Sequence, residues 1–426
     1  MSELIAAPWP RRAFVLAIAA FVLAALTGSL LRFGVLHGMP FGLQVLNVRH
    51  AHTHLMYFGW VTPALFALAG VELLRRRGRP LPRGFGVGVA ATLLTGALAY
   101  VPFLLSGYQL TQVGDARLPL SMIAAGLAVL AWYGWAAAYL VATWNLRRDL
   151  ALFALDAAVL TLLVSSTGAW GLALAAMSPV ASGTLMDALV HFYLDLFSNG
   201  WFALALIGLL VAALPAPAEG RPAPVDGRVA RAALLVVLAG LLLAAFGALL
   251  GWPAATVTSL RVAAAAGLLA LALQLTLAAA RAREPALTLL AALLVAKALL
   301  DGALAFDAVA AWSQRMLLPV PLLHGYLLGF VTLALVWLAL RAWGPSAAAA
   351  FWLVAAAVAV MLASLAPLTL LFPAGWRGPW VLPVAAWASL LPTAAMVVVA
   401  GTLVSARQRR PRDSGSIAPT GVDRVP

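Results

Sequence analysis

The apolar positions of this chain come in long unbroken runs rather than in alternation. A helix crossing the hydrocarbon core of a bilayer needs roughly 20 consecutive apolar residues. Twelve stretches meet that length, at 13–34, 50–74, 84–107, 118–143, 151–177, 187–214, 229–251, 256–280, 285–307, 317–341, 347–373 and 380–405. The ten-residue alternation of a transmembrane barrel is absent, so the backbone must satisfy its own hydrogen bonds within helices. The pattern predicts an all-α membrane protein with one transmembrane domain of twelve helices over residues 1–412. A Pro- and Gly-rich joint at 215–228, PAPAEGRPAPVDGR, divides it into two six-helix halves, and residues 413–426 read as a disordered cytoplasmic tail. The first run outlasts a signal peptide and has no convincing cleavage motif, so it counts as a span.

Composition agrees: 64% of the 426 residues are hydrophobic, 10% are charged, and the mean hydropathy is +1.00, outside the range of soluble globular chains. A net charge of +13 invites a nucleic-acid partner, but the placement of the arginines argues against one. They cluster in alternate loops: Arg11 and Arg12 before the first run, RRRGRPLPR (75–83) after the second, NLRRDL after the fourth, and further groups after the sixth, eighth, tenth and twelfth. The opposite loops hold scattered arginines such as Arg117, Arg315 and Arg377. By the positive-inside rule this predicts cytoplasmic termini and an inner (cytoplasmic) membrane of a bacterium or archaeon. Membrane lipid is the expected partner and nucleic acid is not.

The candidate chemistry is sparse. There is no cysteine, which removes disulfides, thiolate metal sites and cysteine-attached haem. No Walker-type phosphate loop is present. Of six histidines, three stand at alternate positions in NVRHAHTHLMYFGW (47–60), where His50, His52 and His54 open span 2. His191 begins span 6 and His324 lies in the outer part of span 10, so the expected topology puts all five at one depth. Polar groups are costly inside a membrane, and a shared layer argues for a shared site. On a helix, His50 and His54 lie roughly 40° apart while His52 points about 200° away, so the three cannot serve one ligand. His191 and Asp195 share a helix face at i, i+4, as two ligands of one metal or a carboxylate–imidazole pair would require. The only lysine, Lys297, precedes Asp301 by one turn in span 9. The two read either as a neutralising pair or, with Asp156 of span 5, as a proton path. Trp60, Trp201 and Trp312 read as interface belts or as packing around a cofactor.

The string HTHLMYFGWVTPALFAL, counted from His52, has Met56 at +4, Tyr57-Phe58 behind it and Pro63-Ala64-Leu65 at +11 to +13. It resembles the second helix of the catalytic subunit of haem-copper oxidases, the superfamily of cytochrome oxidase and the large subunit of nitric oxide reductase. The resemblance implies a twelve-helix core with pseudo-threefold symmetry and ligands on helices 2, 6, 7 and 10. It further implies a low-spin haem b held by His52 and His324, with Arg49 matching an arginine before the ligand in nitric oxide reductases. In LLHGYLLGFVT, Gly329 follows His324 at +5, similar to the reductase branch; HFYLDLF places His191 and Asp195 where that branch holds non-haem iron. Two features depart from the family. Leu322 stands where the high-spin ligand belongs, and span 7 has no histidine. The resemblance therefore implies one haem site and part of a metal centre. In an alternative register His324 is the high-spin ligand and Tyr326 takes the low-spin position.

Three readings follow. One is a b-type haem protein, six-coordinated by His52 and His324, that transfers electrons from a donor protein or a quinol. Another is a nitric oxide or oxygen reductase whose unusual non-haem iron or copper site draws on His191, Asp195, His50 and His54, with room for a second subunit. The third is a haem-free transporter or small-gas sensor on the same fold.

Overall fold

In a computed structural model, residues 8–176, 183–214, 225–344 and 348–405 are described. Residues 215–224 of the joint between halves and the tail at 413–426 lie outside them. Among the described residues, twelve helices are long and apolar enough to cross a membrane: Pro8–His37, Val45–Arg77, Arg83–Ser106, Leu120–Thr143, Leu150–Ala175, Gly183–Ala213, Gly227–Leu249, Ala254–Ala282, Pro285–Leu304, Pro319–Trp343, Ala348–Leu368 and Val381–Ser405. They are spans 1 to 12 below. Their number matches the run count, and their ends differ from the hydropathy ends by up to five residues. Three small elements were not legible as apolar runs. A hairpin pairs Thr111–Val113 with Ala116–Leu118, a short helix covers Asp307–Arg315, and span 12 is divided near Ser389, ahead of Pro392.

Spans 2, 6 and 10 are the inner helices: 89%, 72% and 67% of their central windows are buried, against 33–61% for the others. Around them the remaining helices pack largely in chain order, and span 12 returns against span 1. Each inner helix is interrupted by a π-helical segment, at Leu55–Val61, Asp195–Phe202 and Gly325–Thr332. Such segments carry an i→i+5 bond pattern that is rare elsewhere and frequent at functional sites.

The three segments align in sequence. Gly59-Trp60-Val61-Thr62-Pro63-Ala64-Leu65, Gly200-Trp201-Phe202-Ala203-Leu204-Ala205-Leu206 and Gly329-Phe330-Val331-Thr332-Leu333-Ala334-Leu335 are one motif carried on every fourth helix. Hydrogen bonds link them in rotation. Trp60 Nε1 of span 2 donates to Thr332 Oγ1 of span 10 at 3.3 Å, and Trp201 Nε1 of span 6 donates to Thr62 Oγ1 of span 2 at 3.4 Å. The third step would run from Phe330 to Ala203, where donor and acceptor are both missing, so no polar group is stranded by the substitution. Trp60 and Trp201 therefore sit at the centre of the bundle and not in an interface belt.

Span 2 ends in Arg75-Arg76-Arg77, closed by Gly78 in the left-handed conformation (φ 59°), a C-cap with cations at the negative end of the helix dipole. Arg75 and Arg76 both pair with Glu72, and Arg76 also reaches Asp149 at 2.7 Å. Only span 3 separates this end from the hairpin that carries Arg117. A topology reporter fused after Arg79 and one fused after Arg117 should therefore lie on opposite sides of the membrane. The same side for both would refute the alternation of spans.

Candidate functional site

Counting back five residues from the repeat glycines at 59, 200 and 329 gives His54, Asp195 and His324. Each stands where α-helix gives way to the π segment. The three inner helices thus present three equivalent positions, and the surroundings of each decide what it can do.

At the first position the space is filled by side chains. His54 stacks on Phe103 with ring centroids 3.8 Å apart and an interplanar angle of 22°. Its Nδ1–H donates to the His50 carbonyl at 3.0 Å, and its Nε2 accepts from the Tyr108 hydroxyl at 3.1 Å. Burial pushes the Tyr108 phenol up to about 12, so it is a donor at physiological pH. The His50 ring lies 4.7 Å from that of Tyr108. His50 and His54 share a face, as helix geometry requires, and both belong to an aromatic plug between span 2, span 3 and the loop before the hairpin. Neither nitrogen of His54 is left for a metal.

The third position is arranged differently. His324 Nδ1–H donates to the Val320 carbonyl at 2.8 Å, which leaves Nε2 as the basic nitrogen. His52, on the face of span 2 opposite His54, donates its Nδ1–H to the Ala24 carbonyl of span 1 at 2.7 Å, again leaving Nε2 free. Metal-bound imidazoles almost always fix their other nitrogen in this way, which sets both tautomer and ring orientation. The His52 ring is seated against Gly28, where an added Cβ would stand 2.8 Å from Cε1 and 3.0 Å from Nδ1. The His324 ring lies within range of the charges of Arg32 and His52, and Arg32 acts on His52 as well. Arg32 of span 1, His52 of span 2 and His324 of span 10 thus lie within electrostatic reach of one another. Arg49 is exposed, and its charge acts on the adjacent His50. Arg32 was passed over in the sequence, although an arginine four residues after a glycine, inside an apolar run, was the available signal.

At the second position Asp195 pairs with Arg261 of span 8 at 3.8 Å, and His191, one turn earlier, is exposed but within range of the carboxylate's charge. Nearby, Lys297 Nζ donates to Asp301 Oδ1 and Oδ2 at 2.9 and 2.7 Å and to Asn199 Oδ1 at 2.8 Å, and lies 4.1 Å above the ring of Tyr326. Tyr326 donates to the Ser198 carbonyl at 2.7 Å. Asp156 belongs to a different neighbourhood, held by Tyr139 Oη and Arg148 Nε at 2.7 Å each. Among the described residues no group of three His, Cys, Asp or Glu side chains is placed to hold a metal ion. The residues named as a non-haem metal set, His191, Asp195, His50 and His54, fall instead into the ion pair and the aromatic plug.

No family model matches the chain, and no curated protein matches it.

Proposed function

We propose that the chain is a membrane b-type haem protein on a haem-copper-oxidase-like bundle, in which His52 and His324 would hold the haem and no binuclear centre is completed. The observation that carries the reading is the matched preparation of two imidazoles on two of the inner helices, spans 2 and 10, each with Nδ1–H on a backbone carbonyl and Nε2 free. The Gly28 cradle and the nearby Arg32 support it further. A haem held by these two imidazoles would supply one-electron transfer. The residues themselves fix ring orientation, exclude competing tautomers and place a positive charge where a carboxylate of the cofactor could be met. Tyr326 is engaged with Ser198 and Lys297, which disfavours the register that gives it the low-spin position. In this reading the protein sits in a prokaryotic cytoplasmic membrane with its arginine-rich loops inside, and a donor protein or a quinol supplies the electron.

Purified protein should show a Soret band, a low-spin spectrum and a haem b pyridine haemochrome at one haem per chain. A colourless preparation from haem-replete cells would overturn the proposal. One equivalent of iron, copper or zinc beyond haem, lost in both His191→Ala and Asp195→Ala, would replace it with the reductase reading.

A further inference from the structure

At the arginine-rich face, away from the histidines, a cavity of about 820 Å³ opens between the end of span 2, the loop from span 4 to span 5, and the start of span 7. Its walls carry four arginines, Arg76, Arg147, Arg228 and Arg231, against two aspartates, Asp149 and Asp226. Both carboxylates are already engaged. Asp149 accepts from the Leu152 amide at 2.9 Å and pairs with Arg76, and Asp226 accepts from the amides of Arg228 and Val229 at 2.9 and 3.2 Å. They serve as helix N-caps for spans 5 and 7. Among the described residues, Arg147 and Arg228 then have no carboxylate partner, and both are exposed.

The walls are held by bonds that do not involve the cavity's own contents. Arg231 Nη2 donates to the Arg148 carbonyl at 2.7 Å, tying the loop to span 7. Arg148 in turn is anchored to Asp156 and to the Leu146 carbonyl, at 2.7 and 2.8 Å. Leu146 and Leu150 give the cavity an apolar side, and Trp144, 80% exposed at the end of span 4, marks the level of the membrane interface. Four arginines against two engaged carboxylates leave the cavity with a net positive potential that favours an anion. Basic pockets between transmembrane helices on this side take phosphate headgroups.

We propose that this cavity is a binding site for the phosphate headgroup of an anionic phospholipid, with Arg147 and Arg228 as the principal phosphate contacts and Arg76 and Arg231 as walls. The lipid places its phosphate at interface depth while its acyl chains follow the apolar surface beside Leu146 and Leu150.

The test uses the full-length protein, delipidated in neutral detergent and titrated with diphosphatidylglycerol, with phosphatidylcholine, and with inorganic phosphate at matched phosphate concentration. Thermal midpoint and lipid adducts in native mass spectra are read for wild type, for R147Q/R228Q and for a control, R377Q, at an arginine of the opposite set of loops. Diphosphatidylglycerol should raise the midpoint, and its affinity should fall about fivefold for each arginine removed, or about thirtyfold in the double variant. R377Q should match wild type. An equal shift from inorganic phosphate alone would overturn the lipid as the ligand's source and assign the site to a soluble phosphate compound. Equal binding to R147Q/R228Q and wild type, or equal shifts with phosphatidylcholine, would overturn the site.

Discussion

Replacing Gly28 with valine should remove the low-spin haem signal almost as fully as His52→Ala does, although residue 28 donates nothing to a metal. The His52 ring is held by its 2.7 Å bond to the Ala24 carbonyl and rests against Gly28, one turn later on the same helix. A Cβ at residue 28 would fall 2.8 Å from Cε1, closer than packed carbons approach, so the ring must turn and its bond to Ala24 must break. Losing the group that orients a ligand typically costs on the order of 10–100-fold in affinity. Under the proposed function, His52→Ala and His324→Ala should each leave a protein with altered spin state or depleted of haem. The controls are His54→Phe and His50→Ala. Their rings belong to the plug with Tyr108 and Phe103, so both variants should keep the wild-type spectrum. Absorption spectra and haem content per chain decide the matter. Full occupancy and an unchanged spectrum in Gly28→Val would count against His52 as a residue that holds the haem.

The span count was legible because lipid imposes one rule on every crossing segment, and an apolar run of sufficient length satisfies it without reference to neighbours. The opposition of His52 to His50 and His54 was legible for a similar reason, since helix periodicity alone fixes it. The partners of those side chains were not. Ala24, Gly28 and Arg32 lie on span 1, Tyr108 lies in a loop, and Arg261 lies on span 8, and no periodicity within span 2 or span 6 points to any of them. The threefold motif was present in the sequence throughout, as GWVTPAL, GWFALAL and GFVTLAL. It is hard to find among runs of Ala, Val and Leu, where short matches arise by composition. What distinguishes it is the set of indole and hydroxyl positions that meet across the bundle, and these have meaning only once the helices are packed. The same symmetry explains why His54 and His324 share a bonding pattern to the carbonyl four residues back yet differ in use: one pocket is filled by Phe103 and Tyr108, while the other faces His52 and Arg32.

Removing Asp301 should destabilise the protein more than removing Lys297, and removing both should cost less than either. All three protons of the Lys297 ammonium are used, two on Asp301 and one on Asn199, and the aromatic face of Tyr326 lies beneath. The lysine side chain is 7% exposed and the Asp301 side chain 31% exposed. In Asp301→Leu the more deeply buried partner is stranded with one amide oxygen and a ring, and breaking a buried pair in this way costs about 3–5 kcal/mol. In Lys297→Met the carboxylate left behind lies in the last turn of span 9 and can take up a proton to become neutral, so the cost should fall below that range. The double variant K297M/D301L leaves no unpaired charge, and apolar replacement of a whole buried pair is often neutral or stabilising. Thermal and denaturant unfolding in detergent, followed by tryptophan fluorescence, gives the three values. Losses that simply add in the double variant would show that the two side chains act independently and that their contact contributes nothing. If the pair instead forms part of a proton path, the double variant folds as well as wild type and loses only proton-coupled activity. That outcome separates a structural ion pair from a relay.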